Sequence, residues 1–141
     1  MWKESQFIYL AGIIDGEGTF YISPAPHFRH RIVVVNTDER MIRWLIHNFG
    51  GLVYKRTNKI NTHWLPKYEW IIVKADIIPI CKGLIPHLIT KREQAELMIK
   101  LRESFIEKGA NNKEVSGDIL KFRTQCKEEI TKLNHRIPMP L

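Results

Sequence analysis

YLAGIIDGEGTFYIS, residues 9–23, opens as the apolar face of a helix, gathers two acids and two glycines into one turn, and leaves as a strand. Asp15 and Glu17 thus stand where a helix ends, in a chain of net charge +7. Carboxylates there face the negative end of the helix dipole, which costs roughly a few tenths of a kcal/mol each. A bound cation is the expected compensation. Ser5 suits the helix cap, Phe7, Leu10, Ala11 and Ile14 recur at helical spacing, and the helix is expected to run to about Asp15. Gly16 and Gly18 then release the chain.

Outward from this turn, TFYIS and RHRIVVV read as two strands joined by a loop holding Pro24 and Pro26. NTDERMIRWLIHNFGG carries a cap in Thr37 or Asp38, apolar Met41, Trp44, Leu45 and Phe49, and a stop at Gly50. LVYKRTNKI and YEWIIVKA form a second strand pair, and a short helix follows from about Asp76 to Lys82, ending near Gly83. Thr90 and Glu93 stand at capping-box spacing before a helix that turns Leu97, Met98, Leu101 and Phe105 to the core and stops at Gly109. Ile119, Phe122, Cys126, Ile130 and Leu133 mark a last helix, while Asp76 and Asp118 fit helix caps. This order predicts an α+β fold, a mixed, mostly antiparallel four-stranded sheet with helices on one face and an αββαββα core. With no repeat or low-complexity linker, residues 1–141 are expected to form a single domain.

That length buries a core without staples. Cys81 and Cys126 lie far apart and read as small buried apolar residues of an intracellular, reducing compartment. The apolar run Phe7 to Ile14 is too short for a membrane span or signal sequence, so no membrane partner is expected. Lys and Arg number 22 against 15 Asp and Glu, which favours an acidic partner, nucleic acid first; a solvated basic surface is the alternative. The six histidines lack metal-ligand spacing and read as surface or packing residues without structural zinc. No glycine-rich loop precedes Lys-Ser or Lys-Thr, so no nucleotide cofactor is expected.

The strands supply a polar surface. Thr19, Tyr21 and Ser23 alternate with Phe20 and Ile22, and Arg29 and Arg31 alternate with His30 and Ile32. On the later pair Lys55, Arg56, Asn58, Lys59, Tyr68 and Trp70 offer donors and rings. Such a face suits a DNA groove, with Arg and Lys on phosphates or guanine edges and Asn on adenine. An ordinary solvent-facing sheet is the competing reading.

LAGIIDGEG, residues 10–18, resembles the signature helix and turn of the LAGLIDADG homing endonucleases, departing by Ile13, Gly16 and Glu17. The strand pairs, the helix opening NTDERMIRWL and TKREQAEL follow in that family's order, so the resemblance extends to about Phe105. It implies that two motif helices pack together through Leu10, Ala11, Gly12, Ile14 and Asp15, with Gly16 close by. One motif per chain implies a homodimer and a palindromic or near-palindromic site on double-stranded DNA. The resemblance further matches Glu17 to the acid that binds the catalytic divalent metal and Gly16 to the adjoining carbonyl. Mg²⁺ suits these oxygen ligands, with Mn²⁺ as a substitute. Asp15 is matched to a turn-shaping role.

Lys91 matches a basic residue beside the cleavage centre, with a helix-surface lysine as the alternative. Asp38 matches a polar residue that positions active-site water, or serves as a cap. A basic residue of some relatives meets Ile42, leaving Arg40 or Arg43 as substitutes. The implied activity is metal-dependent, site-specific hydrolysis of phosphodiester bonds in both DNA strands, the homing reaction. An RNA-splicing maturase and a non-catalytic DNA-binding regulator on the same scaffold are the rivals.

Overall fold

The computed structural model describes residues 1–61, 63–108 and 116–136. Helix α1 (Glu4–Glu17) runs beyond its expected end, so both acids of the motif lie within its last turn. It stops at Gly18, whose N–H donates to the Ile14 carbonyl. A Cβ on Gly18 would lie 2.8 Å from Ile14 Cα, so only glycine lets the chain turn this tightly into a strand. At the other end the cap position is Lys3 rather than Ser5, and Gln6 Oε1 accepts from the Lys3 N–H at 2.6 Å.

Strands β1 (Gly18–Ile22), β2 (His30–Asn36), β3 (Leu52–Arg56) and β4 (Lys67–Val73) form one sheet in the order β1-β2-β4-β3. All three pairings are antiparallel, so the sheet is not mixed. Side chains directly opposite across an antiparallel pair share a face. Phe20, Ile22, Ile32, Val34, Trp70 and Ile72 are each fully buried and build the inner face. Burial of each such side chain is worth about 1.5–3 kcal/mol.

Helix α2 (Glu39–Phe49) starts at Asp38, which accepts from the Arg40 N–H, and ends at Gly50 with φ +70°. It buries Ile42, Leu45 and Phe49 over the inner face. Helix α3 (Ile77–Leu84) contains Gly83 rather than ending there. The Phe7 ring lies where its Cβ would stand, 2.2 Å away, so the glycine serves contact between α1 and α3. Asp76 occupies the α3 cap position without a side-chain bond. Helices α4 (Arg92–Lys108) and α5 (Gly117–Asn134) pack together beside β1. Met98 and Leu101 are fully buried, as are Cys126 and Ile130 to within a few per cent. Ser116 caps α5, leaving Asp118 as a first-turn acid, and the expected stop at Gly109 lies outside the described residues.

Candidate active site and nucleic-acid surface

The two acids of the turn have different partners. Asp15 Oδ1 and Oδ2 accept from the backbone N–H groups of Ile89 (2.8 Å), Thr90 (3.1 Å) and Lys91 (3.2 Å), and Oδ1 also accepts from Thr90 Oγ1 (3.0 Å). The carboxylate thus holds the segment that opens α4, where amide groups and helix dipole favour negative charge. Thr90 therefore donates to Asp15 instead of capping α4 with Glu93. Lys91 returns the favour to α1: its Nζ donates to the carbonyls of Ile14 (3.0 Å) and Gly18 (2.5 Å). That is where a cation complements a helix C-terminus. Burial lowers the Lys91 ammonium below its usual value, and the Asp15 charge partly restores it.

The compensation expected from a bound cation is thus supplied to Asp15 by the α4 opening and to the helix carbonyls by Lys91. Glu17 is exposed. Its Oε2 accepts from Asn36 Nδ2 at 2.8 Å, and Asn36 Oδ1 in turn accepts from the Asp38 N–H at 2.7 Å. The strand end therefore aims the Glu17 carboxylate and joins it to the α2 cap. Asn36 was not singled out in the sequence; its position at the end of β2 carries no local signal of a partner in α1. The Asp38 carboxylate itself is engaged by Arg40 Nε (3.1 Å) and Nη2 (2.8 Å), which lower its pKa to about 2. It acts as cap and ion-pair partner, while Arg43 pairs with Glu39 at 2.6 Å and Ile42 is buried.

Oxygen donors at this turn, the Glu17 carboxylate and the adjacent Gly16 carbonyl, suit a hard divalent ion. One chain supplies one such carboxylate, and among the described residues no three His, Cys, Asp or Glu side chains gather at metal-binding spacing. A complete octahedral shell therefore needs a phosphate, waters or a second copy.

The motif helix divides its residues between two duties. Leu10 and Ile14 are fully buried and Ala11 nearly so, all within the chain's own core. Asp15 is committed to α4. Leu10, Ala11 and Ile14 are thereby corrected as interface residues, because the chain's own core already buries their side chains, whereas Asp15 stays half-exposed beside that face. The outer face is instead Ser5, Ile8, Tyr9, Gly12 and Gly16; Ile8 is 54% and Tyr9 51% exposed. A Cβ on Gly12 or Gly16 would meet no atom within 4 Å, so both glycines present open backbone. Ile8 and Tyr9 are detectable once helix phase is measured from the buried Leu10 and Ile14.

Expected sheet phase holds on β1 and β2. Thr19 and Tyr21 are exposed opposite Val33 and Arg31, the Arg31 guanidinium lies 4.9 Å from the Tyr21 ring centre, and Ser23 and Arg29 continue this face into the hairpin. Register carries the same face through Glu69 and Lys67 of β4 to Tyr54 and Arg56 of β3. Arg56 Nε pairs there with Glu69 at 3.0 Å. Lys55, Tyr68 and Trp70 lie on the opposite, helix-bearing face and are corrected as groove residues. Trp70 is fully buried and its Nε1 donates to the Gly50 carbonyl at 2.7 Å, while the Lys55 ammonium stands 6.0 Å from the Tyr68 ring centre. Asn58 Oδ1 accepts from the Ile60 and Asn61 N–H groups, giving the connecting loop its shape, and Lys59 is exposed beside it. Tyr54, Lys67 and, from α5, Lys127 near Tyr21 join the open face.

Both cysteines are buried thiols, with burial raising Cys81 to about 12 and Cys126 to about 11. No helix among the described residues is long and apolar enough to cross a membrane.

No protein-family model and no curated protein matches the sequence. Solved structures do match the fold. The homing endonuclease I-CvuI in complex with its target and 2 mM Ca aligns with a TM-score of 0.75 and 19% identity, covering 98% of this chain and 87% of that chain. I-CvuI with the I-CreI target and 2 mM Mg, its DNA not cleaved, gives 0.72 and 21% over the same shares. The archaeal intron-encoded homing endonuclease I-Vdi141I, complexed with DNA, gives 0.74 and 14%, covering 92% of this chain and 84% of that one. The LAGLIDADG homing endonuclease I-LtrWI, bound to target DNA, gives 0.52 and 15%; 84% of this chain covers 49% of that one.

Proposed function

From a fold shared with the LAGLIDADG homing endonucleases, we propose that residues 1–141 form one domain of a site-specific DNA endonuclease. It acts as a homodimer in an intracellular, reducing compartment. The target is a long palindromic or near-palindromic duplex, cut in both strands with Mg²⁺ or Mn²⁺ in the course of homing. The observation that carries this reading is the exposed Glu17 carboxylate, aimed by Asn36 at the start of β1, where the open sheet face begins.

Two copies related by a two-fold axis and touching along Ser5, Ile8, Tyr9, Gly12 and Gly16 bring two Glu17 turns together, because Gly16 and Glu17 end that face. Each turn is rigid: Asp15 ties it to α4 and Lys91 holds its terminal carbonyls. Lys91 is then a positioning residue that also places positive charge beside the phosphate path. Arg29, Arg31 and Lys59 bind phosphates or base edges, and Thr19 and Tyr21 lie between them and the reacting strand. Glu17 and the Gly16 carbonyl would hold the ion. Bound there, Mg²⁺ supplies charge to the phosphate oxygens and acidity to a water.

A cleavage selection over a randomised duplex library with Mg²⁺ tests this reading. Recovery of a two-fold symmetric cut site supports it. Retention of duplex without cutting would leave a DNA-binding module, and capture of structured RNA in preference to duplex would point to splicing.

A further inference from the structure

At the hairpin end of β1, opposite Glu17, the β1–β2 loop, the end of β4 and α4 line a half-open cavity of about 560 Å³. Arg29, Arg31, Lys74 and Arg102 line it together with His27 and His30, and no Asp or Glu lines it. None of the four cations pairs with a carboxylate among the described residues. His30 is 8% exposed, its Nδ1 faces the Phe28 carbonyl at 2.9 Å, and its Nε2 has no partner among the described residues; neither has the buried Arg102 Nε. Buried polar atoms are nearly always bonded, so two orphans beside one cavity need an explanation. Phe28 (φ +47°) and Lys74 (φ +55°), the only non-glycine residues with positive φ among those described, both line it. Bulky residues rarely hold that conformation unless the surrounding structure imposes it.

We infer that this cavity is a phosphate-binding pocket. Uncompensated positive charge lining a recess raises the affinity for a small dianion. Guanidinium groups are matched to phosphate oxygens in both charge and geometry. Burial and the charges of Arg102 and Arg123 lower the His30 pKa from 6.5, consistent with a positive potential that an anion would relieve. The phosphate belongs either to the backbone of DNA lying on the open face, which shares Tyr21, Arg29 and Arg31 with the pocket, or to a free nucleotide or phosphate ion.

The first test needs no DNA and so stands apart from the endonuclease reading. Inorganic phosphate is titrated into the full chain at constant ionic strength while the His30 imidazole resonance is followed. Lys74→Asn, with a residue that tolerates positive φ, and Arg102→Gln serve singly and together. A saturable shift with a dissociation constant within about tenfold of 1 mM, weakened at least about fivefold in the double variant, is expected; no saturable shift in the folded wild type would overturn the pocket. The source is then read from the salt dependence of binding to the selected duplex and to one trimmed at its outer ends. If the wild-type slope falls by about one unit per half-site on trimming and the double variant's does not, the ligand is a DNA phosphate. An unchanged slope with a saturable phosphate shift assigns the pocket to a free phosphate or nucleotide.

Discussion

Replacing Asp15 by alanine removes the acceptor for three backbone N–H groups and one hydroxyl at the opening of α4. Ile89 and Thr90 are exposed, so water takes over two of those backbone donors at small cost. Lys91 is half-buried, and its N–H and ammonium both lose the neighbouring charge. Helix-cap deletions cost about 0.5–2 kcal/mol, and this site belongs at the upper end, near 2 kcal/mol, because a charged acceptor serves several donors. For a chain of this size that lowers the melting temperature by roughly 6 °C. Asp15→Asn retains an uncharged acceptor and should lose about half as much. Differential scanning calorimetry of the three proteins provides the comparison, with cleavage rate as a second readout, since Lys91 holds the Ile14 and Gly18 carbonyls. An Asp15→Ala melting temperature within about 1 °C of wild type would refute the structural role of this carboxylate.

Gly12→Leu should fold, because a Cβ there meets no atom within 4 Å, yet it should block close approach of two motif helices; light scattering at an unchanged dimer mass would place the interface elsewhere. Arg31→Ala should lower the salt slope of duplex binding by about one unit per chain, whereas Lys55→Ala, on the helix-bearing face, should leave it unchanged; equal effects would mean the register is misread. His30 should make stability fall as pH drops below about 6.5, since its pKa is lowered in the folded chain and the unfolded chain takes up the proton more readily. Denaturant titrations of wild type and His30→Gln between pH 7.5 and 5, chosen around the ordinary histidine value, should diverge in slope, and parallel curves would contradict this.

Much of this arrangement was legible in local pattern, because it depends on residues near one another in sequence. The 3.6-residue period marked α1 and α2, and the alternation of β1 and β2 placed Thr19, Tyr21 and Arg31 on the open face. Phase failed on β4 because Trp70, Ile71 and Ile72 are consecutive and apolar, so both faces read alike, and a tryptophan with a polar edge passed for a groove residue. On β3 nearly every side chain retains exposure at the sheet edge, which erased the contrast that sets phase. The α1 assignment erred for a different reason. The resemblance implies contact along the motif helix without fixing which of its faces the chain's own core takes, and Leu10, Ala11 and Ile14 are buried by that core. Asp15 with Ile89, Thr90 and Lys91 could not be read at all, since a contact across 74–76 residues leaves no local trace.

Glu17→Gln tests the central claim most directly. The amide preserves the shape of the side chain and an oxygen able to accept from Asn36 Nδ2, while removing the charge that a hard divalent ion requires. Gel-shift titration and a Mg²⁺ cleavage time course are run side by side on the selected duplex, for wild type and variant. Unchanged or slightly tighter binding, with cleavage reduced by at least about 10²-fold, is the expected result; cleavage by Glu17→Gln at the wild-type rate would contradict the assignment of this turn as the catalytic centre.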